Sequence, residues 1–137
     1  MPKTTLTNQE LVDLANGLHL CKDLKGVAFA LVVAKNLETI QVELDHIDKA
    51  SQPTEEFIKV ANKIQELAKD GSKEEEIKKL EEENKHLTEE RQKQLDEVKE
   101  LLKEESTVNI HTIYSNRLPA DITADQVMKI RKIIIDN

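Results

Sequence analysis

Apolar side chains along this chain recur mostly at steps of three and four, the spacing that places them on one face of a helix. The densest cluster is LKGVAFALVVAKN, residues 24–36, in which the eight residues VAFALVVA include no polar side chain. A membrane-spanning helix needs roughly 20 apolar residues, and this run stops at Lys35. A strand would suit Val27, Phe29, Leu31 and Val33, but apolar positions continue at Leu37, Ile40, Leu44 and Ile47. Together with Ala30, Val33 and Ala34 they form one helical stripe. The pattern predicts a helix over residues 27–49 whose first two turns, apolar nearly all round, are buried on several sides. On that reading Ala30→Asp or Ala34→Asp unfolds the protein, because an unpaired buried carboxylate is costly. Tolerance of both would mark the run as an exposed docking surface.

The flanking segments supply packing partners. In LTNQEL, Thr7 and Glu10 have the spacing of a capping box, with Leu6 and Leu11 placed as a hydrophobic staple. A first helix should start there, with Leu11, Leu14, Ala15 and Leu18 on its apolar face. Gly17 and the HLCKDLKG segment are expected to end it and turn the chain into a helical hairpin. After Pro53, residues 54–69 place Phe57, Val60, Ala61, Ile64, Leu67 and Ala68 on the stripe of a third helix, closed by Asp70 and Gly71. Ser72 then opens a second capping-box pattern, SKEE, at the head of a strongly charged stretch.

Between residues 73 and 105 about two residues in three are charged, and acidic outnumber basic by five. Much of the net charge resides there. Ile77, Leu80, Leu87, Val98 and Leu101 fit a heptad seam, interrupted by Asn84, Arg91 and Gln94. Two readings stand side by side: a coiled-coil arm for oligomerisation or partner capture, and a long solvated helix packed only at its ends.

The last quarter changes character. TVNIHTIY, residues 107–114, is dense in β-branched residues, with Val108, Ile110 and Thr112 alternating as in a strand. A single strand is unstable alone. Its candidate partners are Lys3, Thr4, Thr5 and Leu6, which would make a ribbon within the chain, or the same strand of another subunit through an open edge. After Leu118 and Pro119, Thr123 and Gln126 repeat the capping-box spacing, with Ile122 and Val127 as staple. A final helix is expected to bury Val127, Ile130, Ile133 and Ile134. The expected fold is mainly α: a helical hairpin or bundle with one long charged helix and a minor two-stranded β ribbon near the termini. It is read as one domain, with a helical core over 1–71, the charged helix over 72–106, and the strand and last helix over 107–137.

Composition supports the helical reading. The chain has 137 residues, enough for a modest core. Its 2% aromatic content and three residues each of Gly and Pro do not suit a turn-rich β fold. A net charge of −7 repels phosphate and anionic lipid and so disfavours nucleic-acid and membrane partners. Cys21 is the single cysteine, so no internal disulfide can form. No N-terminal stretch reads as a secretory signal, and the expectation is a protein made in the cytoplasm.

Candidate chemistry is sparse. His19, His46, His86 and His111 are scattered over different elements. Glu43 with His46, or Asp45 with Asp48, have helical ligand spacing, but a metal site needs further ligands converging from elsewhere. Cys21 has no CxxC partner, Glu74, Glu75 and Glu76 have no apolar surroundings to raise a pKa, and no Gly-rich phosphate loop is present. No catalytic, metal-binding or cofactor-binding residue is assigned.

The order of segments resembles a family of small proteins of unknown function encoded by tailed bacteriophages. The resemblance is carried by LTNQELVDL, by LKGVAFALVVAKNLETIQVEL, by LLKEESTVNIHTI and by the closing LPADITADQVMKIRKIII. It implies a phage setting, in the virion or the host cytoplasm, and supplies no catalytic residues. The expectation is a non-enzymatic protein that works by protein–protein contact, as a virion-associated structural or assembly accessory. Its partners would be phage or host proteins, including further copies of itself. The alternative is a free acidic inhibitor of a host factor that presents carboxylates where phosphates normally lie.

Overall fold

The computed structural model describes residues 3–136. Among them the chain is mainly α, with six α-helices and a small two-stranded antiparallel sheet. It divides into two compact units, Met1–His46 with Leu101–Asn137, and Ile47–Glu100. Both boundaries fall inside helices.

In the first unit, β1 (Lys3–Thr7) pairs antiparallel with β2 (Glu105–Asn109), in register Lys3 to Asn109 and Leu6 to Ser106. The ribbon therefore closes within the chain. α1 (Asn8–Leu20) follows without a break, and its start is the capping box. The Glu10 amide donates to Thr7 Oγ1 at 3.1 Å, and the Thr7 amide donates to Glu10 Oε1 at 3.1 Å. Leu6 and Leu11 are both buried, as a staple requires.

α2 (Val27–Ser51) begins after a six-residue connection that ends at Gly26, whose φ of 132° only glycine adopts without strain. Its extent agrees with the expected helix, but its orientation does not. The inner face is Phe29, Val33, Asn36, Ile40 and Leu44, all buried, whereas Ala30 and Ala34 are exposed. The apolar run is thus buried on one side only. Leu6, Leu11, Leu14, Leu18, Cys21, Val108, Ile110, Ile113, Ile130 and Ile133 are the other buried apolar side chains of this unit among the described residues.

Two buried asparagines join distant backbone. Asn36 Nδ2 donates to the His111 carbonyl at 2.9 Å, and its Oδ1 accepts from the His111 amide at 2.8 Å. His111 lies between strands, where no ladder would satisfy those groups. Asn8 Nδ2 donates to the Leu101 carbonyl, its Oδ1 accepts from Ser106 Oγ, and its amide donates to the Glu104 carbonyl, each at 2.8 Å. These bonds tie the start of α1 to the turn entering β2.

The C-terminal part departs from expectation. The strand over 107–114 is split: β2 ends at Asn109, and Ile110 and Thr112 lie outside any strand. A second pair, absent from the sequence reading, joins β3 (Ile113–Tyr114) in parallel to β4 (Ile134–Ile135). The last helix, α6 (Ala124–Lys129), keeps its Thr123–Gln126 capping box but runs only six residues. A 3-10 turn at Arg131–Ile133 follows, and the β-branched isoleucines then go extended. Ile130 and Ile133 are nevertheless fully buried. Gly17, expected at a helix end, sits inside α1 where α6 packs against it. A Cβ there would lie 2.7 Å from the Lys129 carbonyl oxygen, so close approach requires the glycine.

In the second unit, α3 (Glu55–Lys69) starts at Thr54, whose hydroxyl accepts from the Phe57 amide, and packs against α4 (Glu74–Glu83). Ser72 does not cap α4. Its hydroxyl and amide both bond Asp70 Oδ1 within the turn, and Lys73 takes the cap position without a side-chain bond. The single charged helix expected over 72–106 is two helices, because the chain breaks at Asn84 before α5 (Lys85–Lys103). Asn84 Nδ2 donates to the Leu80 carbonyl at 2.9 Å, which also accepts from the Asn84 amide at 3.0 Å, so both donors close the last turn of α4.

Candidate interaction surface

The polar interruptions of the heptad seam have a structural task. Arg91 Nη1 donates to the Ser51 carbonyl at 2.6 Å. Gln94 Nε2 donates to the Ala50 and Gln52 carbonyls at 2.6 and 2.7 Å. The last carbonyls of a helix have no intrahelical partner, so Arg91 and Gln94 act as the C-terminal cap of α2. The seam residues divide between α4, with Ile77 and Leu80, and α5, with Leu87, Val98 and Leu101. Leu87 is buried and the other four are half-buried. None of the five is an exposed apolar side chain. Of the expected strand edge, Val108 lies in β2 and Ile110 outside it, both buried, and Thr112 is half-buried.

Leu20, Ile58, Leu95, Tyr114, Met128 and Ile135 are exposed on separate segments, whereas the outer side of α2 carries three exposed large apolar side chains on one helix. Val27 is 80% exposed, Leu31 53% and Val42 77%, and Ala28, Ala30 and Ala34 are exposed around them. Beside it runs an open groove of about 480 Å³ lined mainly by Ala15 and His19 of α1 and by Leu37, Ile40 and Val42 of α2. The helical period explains where α2 lies in sequence. The outer face exists because the run around Phe29 is apolar on both sides and the fold covers one.

The basic side chains of the C-terminal segment are paired. A cleft between α1 and the C-terminal segment carries Lys129, Arg131 and Lys132, but each meets a carboxylate: Asp125 at 3.7 Å, Asp136 at 3.7 Å and Glu10 at 2.6 Å. The Lys132 ammonium and the Thr7 amide hold the Glu10 carboxyl at about 2, well below the usual carboxylate range. Burial pushes the Cys21 thiol up, which keeps it protonated and unreactive. The Ser72 hydroxyl and amide lower Asp70.

Among the described residues no three His, Cys, Asp or Glu side chains gather as a metal site, and no helix is long and apolar enough to cross a membrane. No family model, curated protein or solved structure matches the chain.

Proposed function

We propose that this protein acts by non-enzymatic protein–protein contact, as a phage-encoded virion component or assembly accessory. The observation that carries the contact reading is the outer face of α2, where Val27, Leu31 and Val42 are left to solvent on a helix whose opposite side is core. Single exposed apolar residues are ordinary on protein surfaces. A grouping on one rigid helix is what partner helices use. The phage setting is supported by the segment resemblance alone. Mass spectrometry of purified particles, paired with a gene deletion, tests it. The expected result is the protein in the particle or an assembly defect on deletion, and absence of both overturns the reading.

A second reading, a free acidic inhibitor of a host factor, is favoured by the carboxylates of α4, where Glu74, Glu75, Glu76, Glu81, Glu82 and Glu83 are all exposed. Pull-down from host lysate separates the two. One stoichiometric host partner supports the inhibitor, and phage partners alone support the assembly role.

A further inference from the structure

We propose that the outer face of α2 is a homodimer interface, on which a second copy of this chain lies antiparallel about a twofold axis level with residues 36 and 37. This rests on the reading of the protein as one that acts through protein contact, and it names the occupant. Leu31, Lys35, Glu38 and Val42 are spaced four, three and four apart, so they form one narrow stripe on the helix. All four side chains are exposed. A C2 interface must be complementary to itself: residue i meets residue j, and j meets i. The midpoint between Leu31 and Val42 coincides with the midpoint between Lys35 and Glu38. Antiparallel pairing about that point therefore sets Leu31 against Val42 and Lys35 against Glu38, twice over.

Charge complementarity selects this occupant. The side chains of Lys35 and Glu38 make no hydrogen bond or ion pair within the described residues, so both charges are free for a partner. An acidic partner would satisfy Lys35 and repel Glu38, and a basic one the reverse. A copy in antiparallel register satisfies both. The exposed Ala34 flanks the stripe and presents only a methyl group, which allows the two helices to approach closely.

The test is sedimentation equilibrium of the full chain over a concentration series, with Lys35→Glu, Glu38→Lys and the double exchange. The expected result is a mass of twice 15.6 kDa for the unaltered chain. Each single exchange turns both cross-interface pairs into like charges and should weaken association by about tenfold. The double exchange, which restores opposite charges in both pairs, should recover it. Circular dichroism of each variant, expected unchanged at these exposed positions, separates loss of pairing from loss of fold. A monomer up to about 0.5 mM, a concentration well above the dissociation constants of specific complexes, overturns the proposal. So does a dimer indifferent to the single exchanges, or one not recovered by the double. Any of these results leaves the particle experiment to decide the broader contact reading on its own.

Discussion

The two units are built on different terms. In Met1–His46 with Leu101–Asn137, Leu11, Leu18, Phe29, Ile40, Ile130 and Ile133 have almost no exposure, and even the buried asparagines have their hydrogen bonds met. In Ile47–Glu100, α3 and α4 bury no residue fully, and Ile47 and Leu87 are its buried apolar side chains. Phe57, Val60, Ile64 and Leu67 stop at half-burial. Since stabilisation follows apolar area removed from water, the first unit should hold most of the cooperative stability. The second is a set of amphipathic helices kept in place by partial burial, capping and a few polar ties.

The two phenylalanines probe that difference most directly. Phe29→Ala removes a ring from a closed core and should cost about 4 kcal/mol, whereas Phe57→Ala, at a half-buried site, should cost about 1.5 kcal/mol. Urea denaturation followed by circular dichroism measures both. Equal losses would erase the distinction between the units.

Polar ties offer a sharper comparison. Asn36→Ala removes a fully buried side chain and leaves both the amide and the carbonyl of half-buried His111 without their partner, with an expected loss of about 3 kcal/mol. Gln94→Ala uncovers the Ala50 and Gln52 carbonyls at the end of α2, where water can replace the lost bonds, and should cost about 1 kcal/mol. Amide hydrogen exchange would locate the damage: around residue 111 in the first case, in the last turn of α2 in the second. A larger loss from Gln94→Ala would mean that the second unit depends on its polar ties more than the first does.

What could be read in the sequence followed from how local each signal was. The capping boxes at Thr7 and Thr123 are complete within four residues, and both formed. Ser72 matched the same spacing, yet Asp70, two residues earlier, captured its hydroxyl. The limits of α2 were legible, but its facing was not. Counting back from Ile47 and Leu44 by threes and fours through Ile40 reaches Asn36, a polar residue that interrupts the stripe. Only beyond it do Val33 and Phe29 complete the inner face. The buried role of Asn36 depends on His111, 75 residues away, which no local pattern can signal. Likewise Arg91 and Gln94 looked like faults in a seam because the carbonyls they cap lie some 40 residues earlier. The short parallel pairing of β3 with β4 likewise joins residues 21 apart, Ile113 with Ile134 and Tyr114 with Ile135. The outer face of α2 became visible as a candidate interface once the inner face had been located. Ala30→Asp and Ala34→Asp, exposed in the structure, should now cost little.

The smallest expected effect concerns the ion pair that joins the C-terminal segment to the start of α1. The folded chain holds Glu10 ionised down to about pH 2, whereas its ordinary value is 4.5. A carboxyl depressed on folding contributes stability that is complete above its unfolded value and is lost as pH falls through the folded one. The contribution should therefore be present at neutral pH and disappear between pH 4.5 and about 2. Lys132→Met removes the largest cause of the depression while keeping the length of the side chain. Its destabilisation relative to the unaltered chain should be greatest near pH 7, shrink as the solution is acidified, and fall with added salt, because both partners are partly exposed. A deficit that stays constant from pH 7 to pH 2.5 would show that Lys132 stabilises through the packing of its methylenes against α1 rather than through its charge.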